Sequence, residues 1–402
     1  MKSFEEQLGV IQRGVVDIVT KEDLAAKLKS GRQLVIKLGI DPTAADIHLG
    51  HTVTLNKLRQ FQDLGHRVVL IIGDYTAMVG DPSGKTSGRQ PLTREDIVKN
   101  VADYKAQVFK ILNPDTIEIV YNGTWFEKLT FAETLKLVSK FTLAQMLEHE
   151  TFDRRFKEGR PLSLQEMMYP VMQGYDSVMI KADIEIGGTD QRFNVIAGRF
   201  LQRESGMEPQ AGLFTPILIG LDGKNKMSKS LGNYIALNDK PEDMFGKVMS
   251  IPDGLMRNYY ELLTDVEMGA IDSFERSMNE GKTNPRDIKI NLAYEIVKKY
   301  TGEAGAKYGR EYFEKSFGAN KEVPYEAHLY EWTFGNTEIS VGELLKHVGA
   351  AASNSDARRM VEQGGFYINE MKISDFKKIM RKGDMPFTFR AGKKNFGTFR
   401  QQ

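Results

Sequence analysis

The chain has 402 residues, 41% of them hydrophobic and 27% charged, with a net charge of +1 and no cysteine. That composition excludes a disulfide framework and a thiolate metal site, and no apolar run is long enough to span a bilayer. The first residues, Met1 to Glu6, have no signal-peptide core, so a cytoplasmic protein without a membrane partner is expected. The length allows two or three domains, each with its own core. Charge is uneven: residues 339–402 hold 12 Lys and Arg against 6 Asp and Glu, a surplus of +6. The rest carries −5. A small basic tail on a mildly acidic body suits a nucleic-acid contact, although a solvated charged face has the same signature.

Leu34–Ile40 and Arg67–Gly73 read as strands, and between them Val53, Leu55, Leu58, Phe61 and Leu64 recur at helical spacing, closed by Gly65. Strand, helix, strand at this distance predicts a βαβ unit in a parallel sheet. The first strand runs into Asp41-Pro42-Thr43, and the helix starts near His48-Leu49-Gly50-His51. Ligands gather at the carboxyl ends of parallel strands, and helix N-termini offer free N–H groups to phosphate. His48 and His51 share one helical face, where imidazoles can donate to charge developing on a phosphate, while Gly50 lets a nucleotide approach the backbone. A zinc pair or two incidental surface histidines would look the same.

Gly80-Asp81-Pro82-Ser83-Gly84-Lys85-Thr86 resembles a P-loop but has three residues where four are needed before Gly-Lys-Thr. Asp81 suits a cation such as an ammonium, and a plain turn is the alternative. Ile117–Tyr121 is a further strand. Ser163 and Glu166 predict a capping box, opening a helix on which Tyr169, Gln173 and Asp176 line one face. Phenol, amide and carboxylate on one stripe could cradle a small polar molecule; a solvent-facing stripe is the plainer reading. Pro170 should kink that helix or free a carbonyl. Gly187-Gly188-Thr189-Asp190-Gln191 follows Ile184–Ile186 and precedes a helix from near Arg192, so Asp190 could bind ribose hydroxyls at a strand end, unless the segment is only a turn. Pro216–Gly220 reads as another strand. Lys226-Met227-Ser228-Lys229-Ser230 then forms a cationic loop, useful for closing on a triphosphate if it is more than a solvated surface.

From Pro241 to Phe317 the pattern is helical, with Asn284-Pro285 suiting a helix start, and no strand is expected there. Residues 318–338 lose periodicity. Two short helices follow, Val341–His347 and Ser355–Gln363, then Phe366-Tyr367-Ile368-Asn369. The expected division is a nucleotide-binding domain at 1–235, a helical domain at 236–320, a linker at 321–337 and a basic domain at 338–402.

His48-Leu49-Gly50-His51 and Lys226-Met227-Ser228-Lys229-Ser230 resemble the two signature motifs of the class I aminoacyl-tRNA synthetases. The segments around Asp81, Tyr169-x3-Gln173-x2-Asp176 and Gly187–Gln191 resemble the tyrosyl branch of that class. Asn284-Pro285-Arg286-Asp287 is similar to the opening of its helical anticodon-binding region, and Ser355–Ile368 to an S4-type RNA-binding module. The resemblance runs through the whole chain. It implies a Rossmann-like α/β catalytic domain with a parallel sheet and an inserted connective region, then an α-helical domain and a small α+β S4-like domain.

It also implies roles. Asp176 would accept the hydrogen bond of the tyrosine phenol; Tyr169, Gln173 and Asp81 would hold its ammonium; Gln191 would lie near its carboxyl. Asp41, Thr43, His48, Gly50, His51, Lys226, Met227, Ser228 and Lys229 would surround ATP, with His48, His51, Thr43, Lys226 and Lys229 acting in catalysis. Gly188 and Asp190 would bind the ribose, Leu218 and Ile219 would flank adenine, and Arg358 and Arg359 would meet tRNA. The implied reaction is tyrosine–tRNA ligation by a homodimer using ATP with Mg²⁺, L-tyrosine and tRNA(Tyr), with no metal held by the protein. The resemblance further implies rejection of phenylalanine without an editing domain.

The chain departs from the best-known tyrosyl branch at one position. A tyrosine there precedes the Gly-x-Asp-Pro-Thr run and makes a second contact to the substrate hydroxyl, whereas this chain has Lys37, which leaves open what makes that contact. Three other readings compete. A tryptophanyl enzyme would share the architecture, but the stripe suits a phenol better. A small-molecule nucleotidyltransferase would not need the helical region and basic tail. A catalytically dead relative would have lost motif residues, and none is missing.

Overall fold

The computed structural model describes residues 2–42, 46–83, 94–317, 325, 328–392 and 395–400. It divides into two compact units, residues 1–309 and 310–402. The first is built on a six-stranded sheet of β1 (Asp17–Val19), β2 (Val35–Ile40), β3 (Arg67–Ile72), β4 (Ile117–Tyr121), β5 (Ile184–Gly188) and β6 (Ala211–Thr215), in the spatial order β1-β6-β5-β2-β3-β4. All neighbours are parallel except β1, which runs antiparallel on the edge beside β6. Ile36, Leu38 and Val68 to Ile72 are buried, as continuous apolar strands covered on both faces must be.

From β2 the chain steps outward to β3 and β4, then returns to lay β5 and β6 on the other side of β2. The order therefore reverses between β2 and β5. Such a switch point opens a crevice beyond the carboxyl ends of the two strands, because the connecting helices leave on opposite faces. Here Asp41 follows β2 and Asp190 follows β5.

The helix Leu49–Asp63 connects β2 and β3 and takes His48 as its N-cap. It ends as the glycine at 65 demands. Gly65 adopts φ 87°, its N–H bonds Gln62 O at 3.0 Å and the His66 N–H bonds Phe61 O at 3.1 Å, a Schellman closure. The strand expected at Pro216–Gly220 is not formed. Its place in the sheet belongs to Ala211–Thr215, since Pro216 has no N–H to continue the ladder, and Leu218 instead accepts from Met227 N at 2.8 Å.

Residues 241–317 fold as the helices Pro241–Met249, Met256–Leu263, Met268–Asn279 and Pro285–Phe317, the last interrupted at Gly302 (φ 80°, ψ 174°). No strand lies among them. Up to Gly309 this region belongs to the same compact unit as the sheet. The Arg13 guanidinium donates to the carbonyls of Tyr260, Glu261 and Thr264, and the Tyr300 hydroxyl donates to Thr52 at 2.9 Å.

In the second unit a five-stranded sheet has the order β10-β9-β12-β13-β7, and β8 pairs with β11. These strands are β7 (Leu329–Glu331), β8 (Glu338–Ser340), β9 (Phe366–Ile368), β10 (Met371–Lys372), β11 (Ile379–Arg381), β12 (Phe387–Ala391) and β13 (Asn395–Arg400). The stretch read as a linker thus contributes β7, which pairs in parallel with β13. The helices Val341–His347 and Asn354–Glu362 share a core with Phe366, Phe387, Phe389 and Phe399.

Candidate active site

At the carboxyl end of β2, Asp41 is gripped through both oxygens. The Tyr169 hydroxyl donates to one at 3.0 Å and the Thr76 hydroxyl to the other at 2.8 Å. Gly73 makes this approach possible: a Cβ there would lie 2.1 Å from Asp41 Oδ1 and 2.2 Å from Thr76 Oγ1. The network continues through Asn122, just past β4, whose amide donates to Thr76 Oγ1 at 3.0 Å and to Asp176 Oδ2 at 3.2 Å. The Trp125 indole N–H takes the other Asp176 oxygen at 2.9 Å.

Tyr169, Gln173 and Asp176 share one stripe of the helix Leu164–Met179, as their spacing predicts, and Tyr169 and Asp176 are buried. Burial lifts the Asp176 carboxyl to about 7 against the pull of Lys37, Asn122 and Trp125. Burial and the neighbouring Asp41 and Asp81 also raise Tyr169, so its hydroxyl stays protonated and donates. Across the crevice the Gln191 amide donates to Asp81 Oδ2 at 2.7 Å, while Asp81 Oδ1 accepts from Ser83 N at 2.8 Å. The capping box expected at this helix is only half built. Ser163 caps through Gln165 N at 3.2 Å, and Glu166 turns away to pair with Arg155. Pro170 lies inside the helix, which continues past it.

The second half of the crevice is cationic. His48 and His51 stack with ring centroids 3.8 Å apart. Each Nδ1 accepts a backbone N–H, from Gly50 at 3.2 Å and from His48 at 3.3 Å. The neutral tautomer of each ring therefore carries its proton on Nε2. Both rings stay neutral at pH 7: burial, His51 and Lys229 lower His48 to about 3, while desolvation and Lys229 lower His51, which keeps an exposed edge, to about 4. The lysine loop reaches this helix, with Met227 Cβ 3.6 Å from where a Cβ on Gly50 would stand.

Asn233 holds the loop's shape. Its carbonyl accepts from Ser228 N at 2.8 Å, and its amide donates to Asp222 Oδ2 and Lys226 O, each at 3.1 Å. The hydrogen bonds Asp222 accepts, chiefly from Asn225 and the Lys224 N–H, hold its carboxyl down at about 2. Lys229 rests on Asp46 at 3.0 Å. Between the two halves stand Gly188 and Asp190. A Cβ on Gly188 would sit 2.7 Å from Asp190 Oδ1, so a larger residue would push the Asp190 carboxylate aside. Burial and Asp81 raise the Asp190 carboxyl, and Lys226 opposes them. Leu218 is buried and Ile219 partly so.

The structure therefore brings Asp41, Asp81, Tyr169, Gln173, Asp176, Gly188, Asp190 and Gln191 to the β2–β5 switch point, with His48, Gly50, His51, Met227 and Lys229 packed together beside it. Thr43 lies outside the described residues, as do Gly84, Lys85 and Thr86. Arg358 and Arg359 are in the second unit, exposed on the helix Asn354–Glu362.

A family model described as tRNA synthetases class I (W and Y) matches residues 29–318. A tyrosine–tRNA ligase of Thermotoga maritima is 49% identical over 98% of this chain and 96% of its own. The chain belongs to the tyrosyl-tRNA synthetases of class I. A tyrosine–tRNA ligase of Carboxydothermus hydrogenoformans is likewise 49% identical, over 98% of this chain and 97% of its own. In fold, the synthetase chain resembles a tyrosyl-tRNA synthetase from Archaeoglobus fulgidus solved with L-tyrosine, at TM-score 0.61 and 24% identity over 77% of this chain and 100% of that one. Four polar residues that bond directly to Asp41, Gln173 or Asp176 were missed from sequence: Thr76, Asn122, Trp125 and Glu185. Asn122 directly follows β4, and the rule that placed Asp41 at the end of β2 could have found it.

Proposed function

We propose that the synthetase ligates L-tyrosine to tRNA(Tyr) in two steps, and that the crevice at the β2–β5 switch point performs both. A carboxylate oxygen of tyrosine attacks the α-phosphorus of ATP, the bond to the bridging oxygen breaks, and pyrophosphate leaves. A hydroxyl of the terminal ribose of tRNA then attacks the carbonyl carbon, and AMP leaves. The observation that carries this reading is Asp176, a buried carboxylate with Asn122 and Trp125 on its oxygens, at the end of the stripe shared with Tyr169 and Gln173. Its ionised form accepts from the phenol, while Asp81, Tyr169 and Gln173 hold the ammonium and Gln191 lies near the carboxyl.

Little covalent chemistry falls to the protein. Positioning and charge stabilisation lower the barrier. Neutral His48 and His51 present Nε2–H donors to the phosphate oxygens. Lys226 and Lys229 supply the positive charge, and Lys229 must leave Asp46 to do so. Asp41, Thr43, Gly50, Met227 and Ser228 line the remainder of the ATP site, Gly188 and Asp190 take the ribose, and Leu218 and Ile219 flank adenine. Among the described residues no three His, Asp or Glu side chains are grouped to hold a metal. Mg²⁺ bound with ATP would neutralise charge on the triphosphate.

Residues 131–164 expose Phe131 (78%), Leu135 (54%), Leu143 (58%), Phe156 (61%) and Leu164 (79%), and a second copy of the chain would suit these apolar side chains. Exposed Arg358 and Arg359 on the basic second unit, read as an S4-like module, suit tRNA phosphates. The setting is cytoplasmic.

Pyrophosphate exchange with each of the twenty amino acids tests the assignment. Exchange stimulated by tyrosine alone is expected; stimulation by tryptophan, or by none, would overturn it.

A further inference from the structure

The question left by Lys37 has an answer inside the sheet. Lys37 on β2 and Glu185 on β5 face each other directly across the two strands and are fully enclosed, at 0% and 1% side-chain exposure. An ammonium has three N–H bonds, and Lys37 uses all of them: to Glu185 Oε1 at 2.8 Å, the Gln173 carbonyl at 2.7 Å and Ser177 Oγ at 2.7 Å. None is left for a substrate hydroxyl.

Glu185 is equally occupied. Its Oε1 accepts from Lys37 and from Gln173 Nε2 at 3.1 Å, and its Oε2 accepts from Ser177 Oγ at 3.1 Å and from the Gln210 amide. A buried ion pair is seldom needed for stability, since well-packed apolar residues of the same volume serve as well or better. What this pair supplies is geometry, and much of it converges on one residue. Lys37 holds the Gln173 backbone carbonyl and Glu185 holds its side-chain amide. Turning that amide over would set its carbonyl oxygen against the Glu185 carboxylate, so the NH₂ end is committed inward and the oxygen is the end left to the pocket.

We propose that the Lys37–Glu185 pair is a positioning element of the tyrosine pocket, locking Gln173 so that its side-chain oxygen is presented to the substrate ammonium, with neither member touching the substrate. This rests on the reading of the stripe as the tyrosine site. The position that gives a substrate contact in the best-known branch is thereby converted to an inward anchor, and recognition of the hydroxyl falls to Asp176 with its partners Asn122 and Trp125.

Single substitutions would leave an unpaired buried charge and could unfold the chain, so the test uses two charge-neutral doubles and one reference variant. Lys37→Met/Glu185→Leu removes both the pair and the anchor on Gln173; Lys37→Met/Glu185→Gln removes the charges but keeps an acceptor for the Gln173 amide. Steady-state pyrophosphate exchange gives KM for tyrosine, KM for ATP and kcat, and thermal unfolding checks the fold. The Met/Leu double is expected to raise the tyrosine KM about tenfold, the scale of one lost charge-assisted hydrogen bond, with the ATP KM little changed. The Met/Gln double should recover most of that loss, and adding Gln173→Ala to the Met/Leu double should cost little more. Equal tyrosine KM values for both doubles, close to that of the unmodified chain, would overturn the positioning role and leave the pair purely structural. Should Gln173→Ala alone leave the tyrosine KM unmoved, the pocket assignment itself would fall, and the positioning role with it.

Discussion

Asp176 shows how far a single residue's surroundings set its chemistry. A free aspartate is ionised well below neutrality, but here burial raises the carboxyl to about 7. In the free enzyme the proposed acceptor for the phenol is therefore partly protonated at pH 7. The ionised form is gained as pH rises through 7, so tyrosine should bind progressively more weakly below it, by up to about tenfold per unit. Equilibrium binding of tyrosine at pH 6, 7 and 8 would show this, and the slope should vanish in Asp176→Asn. The histidines cannot mimic it, because at about 3 and 4 they do not titrate in that window. The position of Asp176 was legible in the sequence because residues 169, 173 and 176 obey helical spacing. Its partners were not: Asn122 and Trp125 lie more than 50 residues away, and only the pairing of β3 with β4 brings them alongside.

At the scale of elements, the lysine loop is a pre-shaped hairpin whose tip carries Lys229. Asn233 and Asp222 fix its backbone while Lys229 rests on Asp46. Lys229→Ala should slow pyrophosphate exchange by about 10²- to 10³-fold, as loss of one group acting on transition-state charge does, with tyrosine Kd changed less than about twofold. Stopped-flow rates and equilibrium binding separate the two; comparable losses in both would show that the lysine serves ground-state binding. The same region shows where pattern reading failed. Pro216–Gly220 has the apolar run of a strand but starts with a residue that cannot donate. Ala211–Thr215 forms β6 with a glycine at its second position, where a Cβ would approach Val195 Cγ1 at 2.9 Å. That close packing exists only in three dimensions.

For the whole molecule, the two units divide the labour proposed for them. Removing residues 318–402 should leave tyrosine-dependent exchange within about twofold, lower tRNA charging at least about tenfold, and leave the protein a dimer in sedimentation velocity, because the exposed apolar side chains of residues 131–164 lie in the first unit. Exchange lost in step with charging would make the tail a structural part of the enzyme. The basic surplus of the tail was readable by counting, whereas the attachment of the helical region to the sheet was not. That attachment has a mechanical consequence. Tyr300 closes a buried bridge to Thr52 and Asn56, the first of these directly after His51. The helix that begins with the imidazole pair is thus clamped near its start by the region expected to read the anticodon. A tilt of that region would therefore be carried, as by a lever with a very short arm, to the first turn of the helix that begins with His48 and His51.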